Sequence, residues 1–267
     1  LYEGPAGEGY GLKLIWEMKF RMAPNPHTWH AIIDAHSGEI LSFRDSNMFE
    51  AVHGGIYPVS NLDNEVDRPF PFVTTSAGNS TSGGRFTPSG NTSATLNGQY
   101  TRIQDNCGSI NLSSTGDLDF GMSGGTDCQT PGFGGSGNTH AARSCFYHVS
   151  QLKHKSMGYI QGNSWLQGKL RADVNINDTC NAYWDGSKIA FYRSGGGCSN
   201  TGELAAVFLH EWGHGLDYNT GTSSNDMSSA EAFADCMSFL QTHVPCIGHN
   251  FRPGVPCSTG CGSDCTG

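Results

Sequence analysis

Between Leu204 and Leu216 the chain places Leu204, Val207, Phe208, Leu209, Trp212 and Leu216 at intervals that give a helix one broad apolar surface. His210 and His214 stand four positions apart inside that run, so a helix sends both imidazoles out of one face, one turn apart. No other feature constrains the fold as tightly. The helix must bury its apolar side in a core and leave its imidazole side open. Asn200, three residues before Glu203, predicts a capping-box start, and the helix is expected over residues 201–217.

Two histidines at i and i+4 offer two corners of one tetrahedral ion, which points to zinc, and Glu211 lies beside them as a general base. The third ligand is expected to be Glu231. It belongs to a helix predicted over about residues 228–241, with Phe233, Cys236, Met237 and Leu240 as the buried stripe. Asp235 follows Glu231 at i+4 and is expected to orient a ligand histidine. The competing reading makes Glu231 the end of a Ser228-x-x-Glu231 capping box and Asp235 a solvated residue.

A rival ligand element, G-T-x-x-D of the aspzincins, is nearly matched at Gly221-Thr222-Ser223-Ser224-Asn225, where Asn225 replaces the aspartate. Asp217 likewise stands where the metzincin extension needs glycine. Gly213 and Gly215 each cost a helix about 1 kcal/mol relative to alanine, which implies that something approaches the backbone closely there.

The 267 residues are enough for a full core, so the ten cysteines are not required by small size. Together with 37 glycines and only 15% charged residues they point to an oxidising compartment and a secreted, disulfide-bonded chain. Sequons begin at Asn79, Asn91, Asn111 and Asn177, as expected of a glycoprotein. The net charge of −9, with no run of Lys or Arg, argues against nucleic-acid or anionic-membrane partners. No stretch approaches the roughly 20 apolar residues of a membrane span. The first residues lack the order of a signal peptide, so the chain is expected to begin downstream of one.

Three regions are expected. Residues 1–48 read as a small antiparallel β unit, with strands over 12–22, 28–35 and 40–44. Residues 49–138 are rich in Gly, Ser, Thr and Asn and read as strands and loops, ending in a flexible boundary at Thr130–Asn138. Residues 139–267 carry the helices, the first over 141–159 with Thr139 as its cap, and strands over 170–175 and 188–192.

In this order the chain resembles the thermolysin and fungalysin group of gluzincins. His210-Glu211-Trp212-Gly213-His214 is followed by Glu231-Ala232-Phe233-Ala234-Asp235, which is similar to the group's E-A-x-x-D helix. Upstream, Asn181-Ala182-Tyr183-Trp184-Asp185-Gly186 resembles its N-A-aromatic-W-x-G strand. The run Trp29–Leu41 resembles the end of the group's propeptides. The resemblance implies an α+β fold: a zincin-like catalytic domain with a β-rich first half and an active-site helix, preceded by a propeptide-like unit. It also implies substrate binding along Asn181, Ala182 and Tyr183, and a zymogen stage in which the propeptide is a partner.

The resemblance covers residues 11–45 and 140–242 and is poor over 55–135. No residue matches the group's oxyanion-stabilising tyrosine and later histidine, since Tyr218 lies too close to His214 and His243 and His249 too soon after Glu231. Only 36 residues follow Glu231, so a C-terminal companion segment is expected to complete the cleft.

The expected activity is that of a zinc endopeptidase acting on protein or peptide substrates. Zinc makes water acidic enough to lose a proton near neutrality, with a pKa of about 7, and Glu211 takes that proton. The alternative is a secreted assembly protein, or a latent zymogen, that keeps the fold without activity. Cys180 and Cys198 flank the Trp184 hairpin and are expected to bridge; Cys257, Cys261 and Cys265 are expected to form disulfides in the tail. Asp63, Glu65 and Asp67 form an acidic run that is either solvated or a Ca²⁺ site.

Overall fold

The computed structural model describes residues 2–3, 10–11, 13–22, 28–46, 49–88, 90–122, 124–220 and 226–254. It is an α+β chain that divides into two units, Leu1–Phe49 and Glu50–Gly267.

In the first unit β1 (Ile15–Arg21), β2 (Thr28–Asp34) and β3 (Ile40–Asp45) form an antiparallel sheet in that order. Alternation puts Trp16, Met18 and Phe20 on one face opposite Ile33, Ala31 and Trp29. Trp29 stacks on Phe43 of β3 with ring centroids 5.0 Å apart. At the second turn Asp34 accepts the backbone N–H groups of His36 and Ser37, and these bonds hold its carboxyl well below the usual range.

The second unit is built on an eight-stranded mixed sheet. Its strands include β6 (Val73–Thr75), β7 (Thr92–Gly98), β8 (Thr101–Asp105), β10 (Leu170–Thr179), β11 (Ala182–Trp184) and β12 (Lys188–Arg193). β8, β10 and β12 run parallel, while β11 is an antiparallel edge strand paired with β12. A smaller sheet centres on β4 (Glu50–Ile56), flanked by β5 (Val66–Pro69) and β9 (Leu118–Asp119).

α1 (His140–Tyr159) links β8 to the parallel β10, the connection that parallel pairing requires. Thr139 caps it by accepting the Ala142 N–H, and its own hydroxyl donates to Asp105 at the end of β8. Phe146, Val149 and Leu152 of α1 join Leu170, Ala172, Val174, Phe191 and Phe208 in one core.

Thr130–Asn138 is not a flexible boundary. A Cβ on Gly132 would lie 2.0 Å from the Asn138 carbonyl oxygen, one on Gly135 2.1 Å from that of Ser109, and one on Gly137 2.2 Å from that of Gly108. These glycines let backbones pack against each other, and Asn138 is fully buried with its amide donating to the Phe120 and Phe133 carbonyls. A Gly-rich composition marks both linkers and close packing, and here packing decides.

The helix expected over 201–217 is broken. Asn200 caps a single turn at Thr201–Glu203, Leu204 is extended, and α2 (Ala205–Asn219) begins afterwards without a side-chain cap. The Ala205 N–H is satisfied instead by the Val59 carbonyl, so no capping box is needed, and Glu203 turns into the interior.

α3 (Met227–Thr242) is capped by Asp226, which accepts the Ser229 N–H, and not by Ser228. Its buried residues are Ala234 and Ser238, whereas Cys236 and Leu240 are exposed. Half of the expected stripe holds, since Phe233 and Met237 pack partly buried against the core, while the small Ala234 and Ser238 take the fully buried positions.

Cys180 bonds Cys198 as expected, and Cys107 bonds Cys128, a pairing that spacing alone does not reveal. Cys257, Cys261 and Cys265 lie outside the described residues, as do residues 221–225 of the rival ligand element. No helix among the described residues is long and apolar enough to cross a membrane.

Candidate metal centre

α2 presents its apolar side, with Phe208, Leu209, Trp212 and Leu216, to the core. Trp165 supports it from behind, 5.8 Å from Trp212 and 6.0 Å from Trp184 between ring centroids. The two helix glycines are explained by close approach: a Cβ on Gly215 would meet the Trp165 ring at 2.7 Å, and one on Gly213 would meet the Ala234 Cα at 2.7 Å.

The near contact of Gly213 with Ala234 brings Glu231 and Asp235 of α3 over the imidazoles of α2. His210 Nε2 lies 3.0 Å from Glu231 Oε2, His214 Nε2 lies 3.4 Å from Glu231 Oε1, and the two Nε2 atoms are 3.0 Å apart. Four ligands about 2.05 Å from a tetrahedral zinc stand about 3.3 Å from one another, so these separations match the edges of such a polyhedron. Glu231 thus faces the histidines rather than capping α3.

The chemistry of the donors also fits a cation. A carboxylate oxygen only accepts, so the His210 Nδ1–H donates to Asp235 Oδ1 at 2.8 Å, and in the neutral imidazole this leaves the lone pair on Nε2. The Nε2 of His214 lies 3.0 Å from it, and burial lowers that imidazole's pKa. Protonation is disfavoured where a positive charge is needed to hold the nitrogens and the Glu231 carboxylate together. A metal ion satisfies all three.

Glu211 is buried, and burial with the nearby Glu231 charge raises its carboxyl to about 7 against the opposing effect of His210. It accepts a hydrogen bond from the Trp184 backbone. A groove of about 620 Å³ joins these residues to the edge strand and is lined by Asn181, Ala182, Tyr183, Trp184, His210, Glu211, His214 and Glu231. The Asn181 carbonyl is held by the buried Thr201 hydroxyl at 3.0 Å.

Asp217, Tyr218 and Ala230 also line the groove and were not anticipated. Helical spacing contained the signal for two of them, since Asp217 and Tyr218 follow His214 at i+3 and i+4 and share its face. Asp226 is engaged as the cap of α3.

Asp63, Glu65 and Asp67 do not converge on one point. Asp63 accepts the Val59 and Ser60 N–H groups, Glu65 accepts from the buried Arg143, and Asp67 faces His53. No protein-family model matches the chain, and no curated protein matches it.

Proposed function

We propose that this chain is the zinc-binding part of a secreted, zincin-like metalloendopeptidase of the gluzincin type, with His210, His214 and Glu231 as ligands. The observation that carries the reading is the three-ligand cluster set beside a buried glutamate and an edge strand in one groove. When bound, zinc supplies Lewis acidity toward water and toward the scissile carbonyl.

The remaining work belongs to the chain. β11 pairs on one side with β12 and borders the groove on the other, so an extended peptide lies along Asn181, Ala182 and Tyr183 as an added strand. Glu211, with a pKa near neutrality, takes a proton from the attacking water and returns it to the departing amine. Asp235 keeps the His210 proton on Nδ1, which leaves Nε2 free as a ligand. Secretion accords with the Cys107–Cys128 and Cys180–Cys198 disulfides, and the first unit is read as the end of a propeptide.

The test is zinc per chain by elemental analysis, with cleavage of a quenched peptide library, for wild type, Glu231→Ala and Glu211→Gln. The expected outcome is zinc in wild type that Glu231→Ala loses, and zinc without turnover in Glu211→Gln. Wild-type cleavage by Glu211→Gln would refute the base assignment. Zinc without cleavage in wild type favours the assembly-protein or zymogen alternative, and wild type without zinc ends the proposal.

A further inference from the structure

A second group of ligating side chains lies on the smaller sheet, on three adjacent strands. His53 of β4 stands opposite Asp119 of β9 in the parallel ladder. On the other side it stands opposite Pro69 of β5, two residues from Asp67 and therefore on the same face. His53 Nδ1 lies 2.9 and 3.1 Å from the two oxygens of Asp67 and 3.7 Å from Asp119 Oδ1. One atom from each of the three falls within 4.8 Å of the others.

A hydrogen-bonded pair does not account for this arrangement. Nδ1 carries one proton at most, and Asp67 already receives it at the shorter distance. Asp119 is left facing the same nitrogen, and two carboxylates converge on one imidazole in a chain of net charge −9. The Asp119 carboxylate is also fixed by the Gly121 N–H at 2.7 Å, so it is oriented before any ion arrives. The half-buried imidazole sits between strands whose ladders fix its backbone on both sides.

We propose that His53, Asp67 and Asp119 bind a divalent transition-metal ion, distinct from the ion at His210. One imidazole nitrogen with two carboxylate oxygens suits zinc or manganese; calcium, which takes oxygen ligands, is disfavoured by the nitrogen. The metal takes the Nδ1 lone pair of the neutral imidazole, whose one proton then sits on Nε2, any second proton leaving to solvent, and water fills the remaining positions because both aspartates are more than half exposed. Occupancy ties β5 and β9 to β4 and stabilises the sheet by mass action.

The test uses the full chain stripped with a chelator and equilibrated at low micromolar free Zn²⁺. Zinc per chain and the thermal midpoint are measured for wild type, His53→Ala and Asp67→Asn, with circular dichroism as the check on folding. The expected result is one zinc fewer in each variant than in wild type, and a zinc-dependent rise in midpoint that shrinks in both. Because the readout is a difference, it holds whether or not His210 binds zinc. Equal zinc in wild type and both folded variants would overturn the proposal. So would Ca²⁺ binding at this site without Zn²⁺ binding.

Discussion

A Cβ placed on Gly213 would lie 2.7 Å from the Cα of Ala234, so α2 and α3 meet there backbone against backbone. Glu231 precedes Ala234 by three residues and Asp235 follows it by one, which is why both carboxylates reach His210. The helix contact and the convergence of these side chains are one feature.

Gly213→Ala therefore sets two effects against each other. Alanine gains about 1 kcal/mol of helix propensity, whereas forcing a methyl group into a packed contact costs about 1–3 kcal/mol. The blocking atom is backbone, which cannot rotate away, so the clash is expected to win. Chemical denaturation should show a less stable protein, and under the proposed function a competing chelator should strip zinc from it more readily. A variant that is more stable with unchanged zinc affinity would show that the helices do not touch as described.

Asp235→Asn keeps the shape of the partner and removes its charge, and the amide can present its NH₂ to His210 Nδ1 and so disturb the tautomer. Under the proposed function zinc affinity is expected to fall about 10–100-fold, measured by chelator competition, with the far-ultraviolet dichroism unchanged.

Tyr218 is exposed and lines the groove one turn beyond His214. Its phenol is a neutral donor on the groove wall, so under the proposed function Tyr218→Phe is expected to lower kcat with little change in KM. Loss of a transition-state donor costs about 100–1000-fold elsewhere. A change confined to KM would make Tyr218 a contact for the substrate's ground state.

Glu203 is fully buried beneath the start of α2, and burial with the Asp127 charge raises its pKa from 4.5 to about 8. Its Oε1 has no hydrogen-bond partner among the described residues. A raised carboxyl binds its proton more tightly in the folded state, so stability falls as pH rises from the unfolded value to the folded one. Glu211, raised to about 7, acts with the same sign, while His148, lowered to about 4, acts oppositely below its unfolded pKa. Lys153, lowered to about 8, adds stability only as pH rises above that value. Between pH 7 and 8 Glu203 dominates. The thermal midpoint is expected to drop across that interval in wild type and to stay flatter in Glu203→Gln. Equal slopes would show that Glu203 is already ionised at pH 7.

The sequence by itself determined the local elements and the chemistry they carry. Apolar spacing located α1, α2 and α3 to within a few residues, because helical period is a property of neighbours along the chain. The four-residue interval of His210 and His214 put both on one face, and Glu231 with Asp235 repeats that interval on the next helix.

Only the tertiary structure decided what crosses between elements. The Val59 carbonyl accepts the Ala205 N–H, where α2 begins four residues later than expected, and carbonyls from Ser109, Gly108 and Asn138 turned an apparent linker into a packed loop. Small residues on α3 turned its buried face toward Gly213, and β4 brought His53 between two aspartates distant in sequence. Each of these depends on which backbone or carboxylate arrives from far along the chain, a choice made by packing and hydrogen-bond satisfaction across the whole unit and written in no short window of residues.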